Sequence, residues 1–401
     1  MGEITERFDL IIIGSGIIGL GIGNAFLENQ PSMRVAVVEK EVNSYSHASG
    51  RNSGVLHAGF YYSPDSLKAK LCAEGNRELR SFIKTRNLPL LEVGKVVVSR
   101  NENEDGYLDI LQSRADANSV NVELKKRSEL HKFEPLAKTF ERFLWSPTTA
   151  VTNPVVVTHA LAQEFIKRGG IIIYGTNAKL IERAGEIQLN NSHLNAEHYI
   201  NAAGVEANKI ASKLGVGQEY ALVPFKGLYR TIDQKKLPLV KLVYPVPHPI
   251  NPFLGVHFTP TLDGKIKIGP TAIPAFGRYN YSMLKGANFD DFKEISKGIT
   301  ALIKNDSHDM SEIIQNEFPK YFMSTLANEG STLVPTSTNL KGWHKKQPGI
   351  RAQLVDLRSG KLEQDFVIRQ YLNSTHILNA VSPGWTCAIP FGRLVVKEVR
   401  K

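Results

Sequence analysis

Six residues near the start of the chain, Gly14-Ser15-Gly16-Ile17-Ile18-Gly19, constrain the fold more than any others. Residues 8–13 (FDLIII) before them read as a short buried strand, and residues 17–30 after them as a helix. Residues 34–39 (RVAVVE) read as the next strand, which closes a βαβ unit ending on Glu39, 20 residues past Gly19. Each glycine has a reason to be one: Gly14 for a tight turn, Gly16 for close approach of the backbone to a pyrophosphate, and Gly19 for packing of helix on strand. The helix N-terminus at Ile17 offers N–H groups and a partial positive charge. A carboxylate at Glu39 suits an unphosphorylated ribose. The alternative, a glycine-rich turn in some other α/β domain, lacks a reason for the acid.

This motif alone leaves FAD and NAD both open. Two later segments tilt the choice to FAD. Asn201-Ala202-Ala203-Gly204 ends an apolar strand in residues small enough for a cofactor to lie against them. Ser382-Pro383-Gly384-Trp385-Thr386 follows a late strand, where a C-terminal return in two-domain flavoproteins brings backbone N–H groups to the flavin. Either segment alone would be an ordinary turn.

A chain of 401 residues exceeds what one core usually serves, so two domains are expected. The fold class that follows is α/β, a Rossmann-type FAD-binding domain interleaved with an α+β antiparallel-sheet substrate domain. The expected pieces are 1–88, 151–216 and 346–401 for the FAD-binding domain, and 89–150 and 217–345 for the substrate domain. Asn153-Pro154 starts a helix that stops at Gly169-Gly170, and residues 288–306 form another. Residues 222–271 break into short strands punctuated by Pro and Gly.

The formal charge of +10 reads as a solvated basic surface, with an anionic substrate, cofactor or membrane surface as the functional alternatives. No basic helix with interleaved aromatics argues for nucleic acid. Cys72 and Cys387 are too few and too far apart for a disulfide framework, and the histidines show no metal-ligand spacing. The apolar stretch 8–27 contains Asp9, Asn24 and several glycines and is better read as strand and helix than as a span or leader. These features suit a cytoplasmic protein, with peripheral contact at the inner face of a membrane as the alternative.

Longer motifs carry a family resemblance. The loop 51–62 (RNSGVLHAGFYY) with 66–69 (SLKA), then 224–227 (PFKG), 244–247 (YPVP), 252–259 (PFLGVHFT), 349–353 (GIRAQ) and Asp365-Phe366 resemble the L-2-hydroxyglutarate dehydrogenase/oxidase family, within the D-amino-acid-oxidase-like flavoproteins. The resemblance covers essentially the whole chain. It implies FAD as cofactor, and oxidation of a 2-hydroxy acid to a 2-oxo acid with hydride leaving C2 for flavin N5 and electrons passing on to quinone or oxygen. The chain departs from the family pattern at Leu228, His248, Thr271 and Trp385, which puts the substrate in question. Another 2-hydroxy acid, glycerol 3-phosphate or an amino acid is the same-fold alternative. A non-catalytic FAD-binding protein is the alternative of another class.

The implied site divides into roles. Arg351 aligns with the carboxylate-binding arginine of the superfamily, and its planar fork matches a carboxylate; a surface arginine is the plain alternative. Lys226 and Tyr229 are expected at a second, distal carboxylate, or equally as a strand-edge pair. The base is His57 or His257, since imidazole titrates near neutrality. His57 is preferred because relatives use its loop beside the flavin, some attaching it covalently through a histidine. Tyr61 and Tyr62 line the pocket or pack the loop. Arg51, Ser53 and Gly54 join Gly14, Gly16, Ile17, Gly19, Glu39, Ala203, Gly204, Pro383, Gly384 and Thr386 as expected cofactor contacts.

Overall fold

The computed structural model describes residues 6–190, 193–247, 255–282, 285–304 and 315–399. His248 and residues 252–254 of the PFLGVHFT motif lie outside them.

The first βαβ unit forms as its sequence predicts. Strand Glu6–Ile13 runs parallel to Val35–Val38 on one side and to Leu194–Asn201 on the other. Ile171–Ile173 and Ser374–Asn379 extend the sheet in parallel, and Val367–Tyr371 closes one edge antiparallel. From Leu10 to Ile13 side chains alternate across the strand, and both faces are dry. Leu10 and Ile12 pack among the helices, while Phe8, Ile11 and Ile13 pack against the hairpin Leu180–Arg183/Glu186–Leu189 and helix Ala207–Ser212. Burial on both faces explains the unbroken apolar run.

Four helices cover the first face: Ile17–Asn29, Leu67–Thr85, Pro154–Lys167 and Gly384–Val399. Two of them, Leu67–Thr85 and Pro154–Lys167, are capped at their starts by side chains. Ser66 accepts from Ala69 N at 3.1 Å, and Asn153 accepts from Val155 N at 3.0 Å. The last helix crosses the first in backbone contact. A Cβ at Gly21 would strike the Ala388 carbonyl, and one at Gly392 would strike the Gly21 carbonyl. This crossing carries the 382–386 turn from the end of the chain to the tip of the first strand.

The second body is an eight-stranded, mainly antiparallel sheet in the order His344–Lys345, Arg230–Asp233, Lys265–Gly269, His257–Pro260, Leu242–Pro245, Lys95–Val98, Arg142–Ser146, Glu123–Lys126. Helix Glu102–Ala117 packs on it through Leu108, Leu111 and Ala115. Between the two bodies lies a four-stranded sheet in which Tyr220–Gly227 pairs antiparallel with Gly349–Asp356, Phe225 opposite Arg351. Helix Phe289–Lys304 packs against this sheet. Residues 220–227 and 349–356 are thus partners in one sheet, although the sequence reading assigned them to different domains. Strand partners distant in sequence leave no local mark of their pairing.

Candidate active site

A cavity of about 1410 Å³ runs from the first strand's tip to the eight-stranded sheet. It is lined at one end by Gly14, Gly16 and Glu39 and at the other by His57, His257, Tyr229, Tyr244 and Arg351. Sequence reading put most of these residues in one site, and the fold brings them together.

The nucleotide end is built by backbone. Gly14 has φ +100°, and a Cβ there would lie 2.6 Å from the Ala202 carbonyl oxygen. Only glycine fits a left-handed turn pressed against a second strand end. The Gly19 Cα faces the Gly14 carbonyl so closely that no Cβ fits, so it serves helix–strand packing and does not line the cavity. Glu39 is nearly buried and accepts from Ser15 N at 2.9 Å, Ser15 Oγ at 3.1 Å and Glu41 N at 3.0 Å. A carboxylate has about four acceptor sites, so room remains for a ribose hydroxyl. The Ile17 amide donates to Ser49 Oγ at 2.9 Å. The glycine turn, the acid, the small residues Ala202, Ala203 and Gly204 and a cavity longer than a single small ligand needs all fit a dinucleotide cofactor.

The loop after the second strand forms one wall. Arg51 donates to the Ser46 carbonyl at 2.6 Å and lies 4.2 Å from the Tyr281 ring centroid. His47 bridges Tyr281 Oη and Glu41, each at 2.8 Å. Ser53 lines the cavity and its carbonyl takes the buried Lys267 ammonium at 2.9 Å. Gly54 does not line it; with φ +76°, it lets the chain pass the Thr152 carbonyl. At the C-terminal turn, Pro383, Trp385 and Thr386 line the cavity, and Gly384 sits behind them as the first residue of the last helix. The Thr386 hydroxyl accepts from His57 N at 3.2 Å, which ties this turn to the histidine loop.

The reactive end gathers two histidines and several buried cations. His57 is held by its backbone, its carbonyl accepting from Asn76 Nδ2 at 3.1 Å, while its buried Nδ1 has no partner among the described residues. His257 is held by its ring. Nδ1 lies 2.8 Å from the Gly255 carbonyl, and the ring stacks on Tyr244. A carbonyl only accepts, so Nδ1 carries the proton and Nε2 the lone pair. Burial pushes both imidazoles down to about 3, with Lys95 adding to the effect on each. Both rings are therefore neutral, and able to accept a proton, at neutral pH.

Arg351 lines the cavity with its Nε donating to Gln353 Oε1 at 3.1 Å, and burial lowers its guanidinium to about 10. Tyr62 is beside it, its hydroxyl pushed well up by burial. Lys226 is elsewhere. Its ammonium bonds Asn280 Oδ1 at 2.9 Å and the Ser282 carbonyl at 2.5 Å, and it does not line the cavity. Tyr229 does line it, with its ring 5.1 Å from the Lys267 ammonium. Of the family departures, Trp385 lines the cavity, and Thr271 also does, its hydroxyl donating to the Lys226 carbonyl at 2.9 Å.

Two lysines escaped sequence reading. Lys68 is 4% exposed and lines the cavity. Its signal was present: it stands in helical register with Cys72, Gly75, Leu79 and Ile83, the buried stripe of its helix. Lys95 is fully buried at the head of strand Lys95–Val98, its ammonium 4.5, 4.3 and 4.9 Å from the ring centroids of Phe60, Tyr61 and Tyr244. A lysine before three valines reads equally well as an exposed strand end. Among the described residues, no group of His, Cys, Asp or Glu could hold a metal ion, and no helix is long and apolar enough to cross a membrane.

Comparison with known proteins fits this architecture. The family model for FAD dependent oxidoreductases (DAO) matches residues 9–398. The chain belongs to that family. Its cofactor is FAD, and its oxidoreductase fold is shared by solved relatives. The L-alpha-glycerophosphate oxidase of Mycoplasma pneumoniae, solved with FAD bound, superposes at TM-score 0.77 with 22% identity, over 99% of this chain and 96% of that one. Glycine oxidase from Geobacillus kaustophilus gives TM-score 0.72 at 18% identity, over 99% and 95%. Sequence relatives are nearer. This oxidoreductase is 32% identical to the mitochondrial L-2-hydroxyglutarate dehydrogenase of Caenorhabditis elegans and 33% identical to the L-2-hydroxyglutarate dehydrogenase of Escherichia coli K12, each over 98% of this chain and 93% of the relative. The mitochondrial enzyme of Homo sapiens is 31% identical over 99% of this chain and 89% of its own.

Proposed function

We propose that this flavoprotein oxidises L-2-hydroxyglutarate to 2-oxoglutarate. The observation that carries the reading is full-length similarity, above 30% identity, to L-2-hydroxyglutarate dehydrogenases from worm, bacterium and human. The geometry supports it with a cavity lined by two histidines, His57 and His257, and by the cations of Arg351 and Lys68.

Bound FAD supplies the two-electron acceptor for the hydrogen leaving C2. The chain's own residues orient the substrate and move the proton. Arg351 receives a carboxylate, its fork matching two oxygens, and burial strengthens that contact because the guanidinium is already stripped of water. His257 takes the hydroxyl proton at Nε2 as the C2–O double bond forms, while the Gly255 carbonyl holds the opposite nitrogen protonated. This moves the base from His57, which the sequence favoured, to His257, whose tautomer is set. A bound carboxylate raises the affinity of the neighbouring imidazole for the proton it receives. Tyr229 and Tyr244 wall the site against water. The electrons then pass to a quinone or to oxygen, and turnover in air with and without a soluble quinone tells which.

The test is anaerobic spectroscopy of the holoprotein with L-2-hydroxyglutarate, D-2-hydroxyglutarate and L-malate in turn. Bleaching of the flavin by the L-hydroxyglutarate alone is expected. A yellow protein bleached by none of the three overturns the substrate. Arg351→Ala is expected to lower kcat/KM by roughly 100-fold or more, and unchanged kinetics would remove Arg351 from its role.

A further inference from the structure

Lys68 is a second cation in the same cavity as Arg351, and the reaction as described makes no use of it. Its side chain is almost wholly buried, yet it lines the cavity. It lies on the helix Leu67–Thr85, whose first two amides, Leu67 N and Lys68 N, donate to the Asp365 carboxylate at 2.7 and 3.1 Å. Phe366 N donates to the same carboxylate at 2.8 Å. Asp365 is therefore occupied by three backbone amides. It makes no ion pair with the Lys68 ammonium, and no other described carboxylate lies within ion-pair distance of it. Asp365 anchors the lysine by its main chain and leaves the head group to the cavity.

Burial lowers the Lys68 ammonium to about 7, and the nearby Arg351 charge adds to this while Asp365 partly offsets it. Two like charges held together in a dry pocket are costly unless an anion joins them. The anion must come from what fills the cavity. A flavin dinucleotide would have its phosphates held at the glycine turn, which lines the other end of the cavity from Arg351. What remains at the Arg351 end is the substrate.

We infer that Lys68 is a specificity-determining residue that holds the second carboxylate of a dicarboxylic 2-hydroxy acid, while Arg351 holds the first. This rests on the substrate reading above and assigns to Lys68 the part that the sequence had given to Lys226. The lysine that the fold ties to Asn280 and Ser282 is replaced by one that the fold aims into the pocket.

Two substrates of equal length test it: L-2-hydroxyglutarate and L-2-hydroxyvalerate, which lacks only the distal carboxylate. Wild-type holoprotein is expected to prefer the dicarboxylate in anaerobic flavin reduction. Lys68→Met is expected to cut kcat/KM for L-2-hydroxyglutarate roughly 100-fold and to leave L-2-hydroxyvalerate within about threefold, so that the preference collapses; Lys68→Arg restores part of it. Equal losses on both substrates, or no loss on the dicarboxylate, overturn the assignment. A measurement on the unaltered protein covers a variant that fails to load FAD. Glutarate and valerate are titrated against the flavin spectrum of wild type, and glutarate is expected to bind more tightly. Equal affinity overturns the inference. If L-2-hydroxyglutarate does not bleach wild type yet glutarate still outbinds valerate, the dicarboxylate pocket stands and the substrate reading alone falls.

Discussion

The imidazole of His257 lies stacked on the ring of Tyr244, their centroids 3.7 Å apart and their planes 20° from parallel. The stack fixes the ring plane, and the Gly255 carbonyl fixes the tautomer. A base needs both, because proton transfer is steep in distance and angle. His257→Gln is therefore expected to slow anaerobic flavin reduction by about 10²–10⁴-fold, with little change in substrate KM. Tyr244→Phe keeps the stack and is expected to stay near wild type. A large loss in His57→Gln beside a small one in His257→Gln would return the base to His57.

At the other end of the cavity the chain is intolerant for a different reason. Gly14 combines a left-handed backbone with a carbonyl, that of Ala202, where a Cβ would stand. Gly14→Ala must move the first strand's tip away from the 201–204 turn. The variant is expected to purify without flavin while keeping its far-UV circular dichroism. A yellow Gly14→Ala protein with wild-type FAD affinity would show that the turn does not hold the pyrophosphate.

How much of this was legible depended on how local each interaction is. The glycine turn and Glu39 lie within one βαβ unit, and their spacing announces them. Arg351 and His257 were visible through longer motifs. Lys226 was misplaced because strand side chains alternate. Phe225 lines the cavity opposite Arg351 in the register, so its neighbour Lys226 points the other way, to Asn280. Which parity of a strand faces a cavity is decided by sheets that pack later, and a sequence does not reveal it. Lys95 was hidden for the same reason: its burial comes from Phe60, Tyr61 and Tyr244, which lie far off in the chain or in other elements.

The pH dependence follows from the buried groups. His257 titrates at about 3, so the free enzyme's base stays deprotonated through the physiological range, and the acid limb of kcat/KM is expected well below the 6.5 of an ordinary histidine. Lys68 titrates at about 7, and its cation is lost as pH rises through that value. The alkaline limb of kcat/KM for L-2-hydroxyglutarate is thus expected near neutrality. Lys68→Arg keeps its charge at every working pH and is expected to move that limb upward. A limb that stays in place in Lys68→Arg would assign it to another group.

Lys95 makes the stability of the fold depend on pH. It is a fully buried ammonium with no hydrogen bond among the described residues, facing three aromatic rings and the electrostatic fields of His57 and His257. Burial lowers it to about 7 against 10.5 for an ordinary lysine. Between those values the unfolded chain binds a proton that the folded chain does not, so this group makes stability rise with pH from about 7 to 10.5, and its cost is full below 7. Ring faces offset part of that cost. Lys95→Met fills the same space without charge, and is expected to raise the Tm of the holoprotein by ~2–5 °C at pH 6 and by less at pH 9. The comparison of the two pH values carries the argument, because a packing gain alone would be equal at both. A Tm gain that does not shrink with rising pH would mean that Lys95 keeps its proton in the folded protein up to pH 9, as an ordinary lysine does.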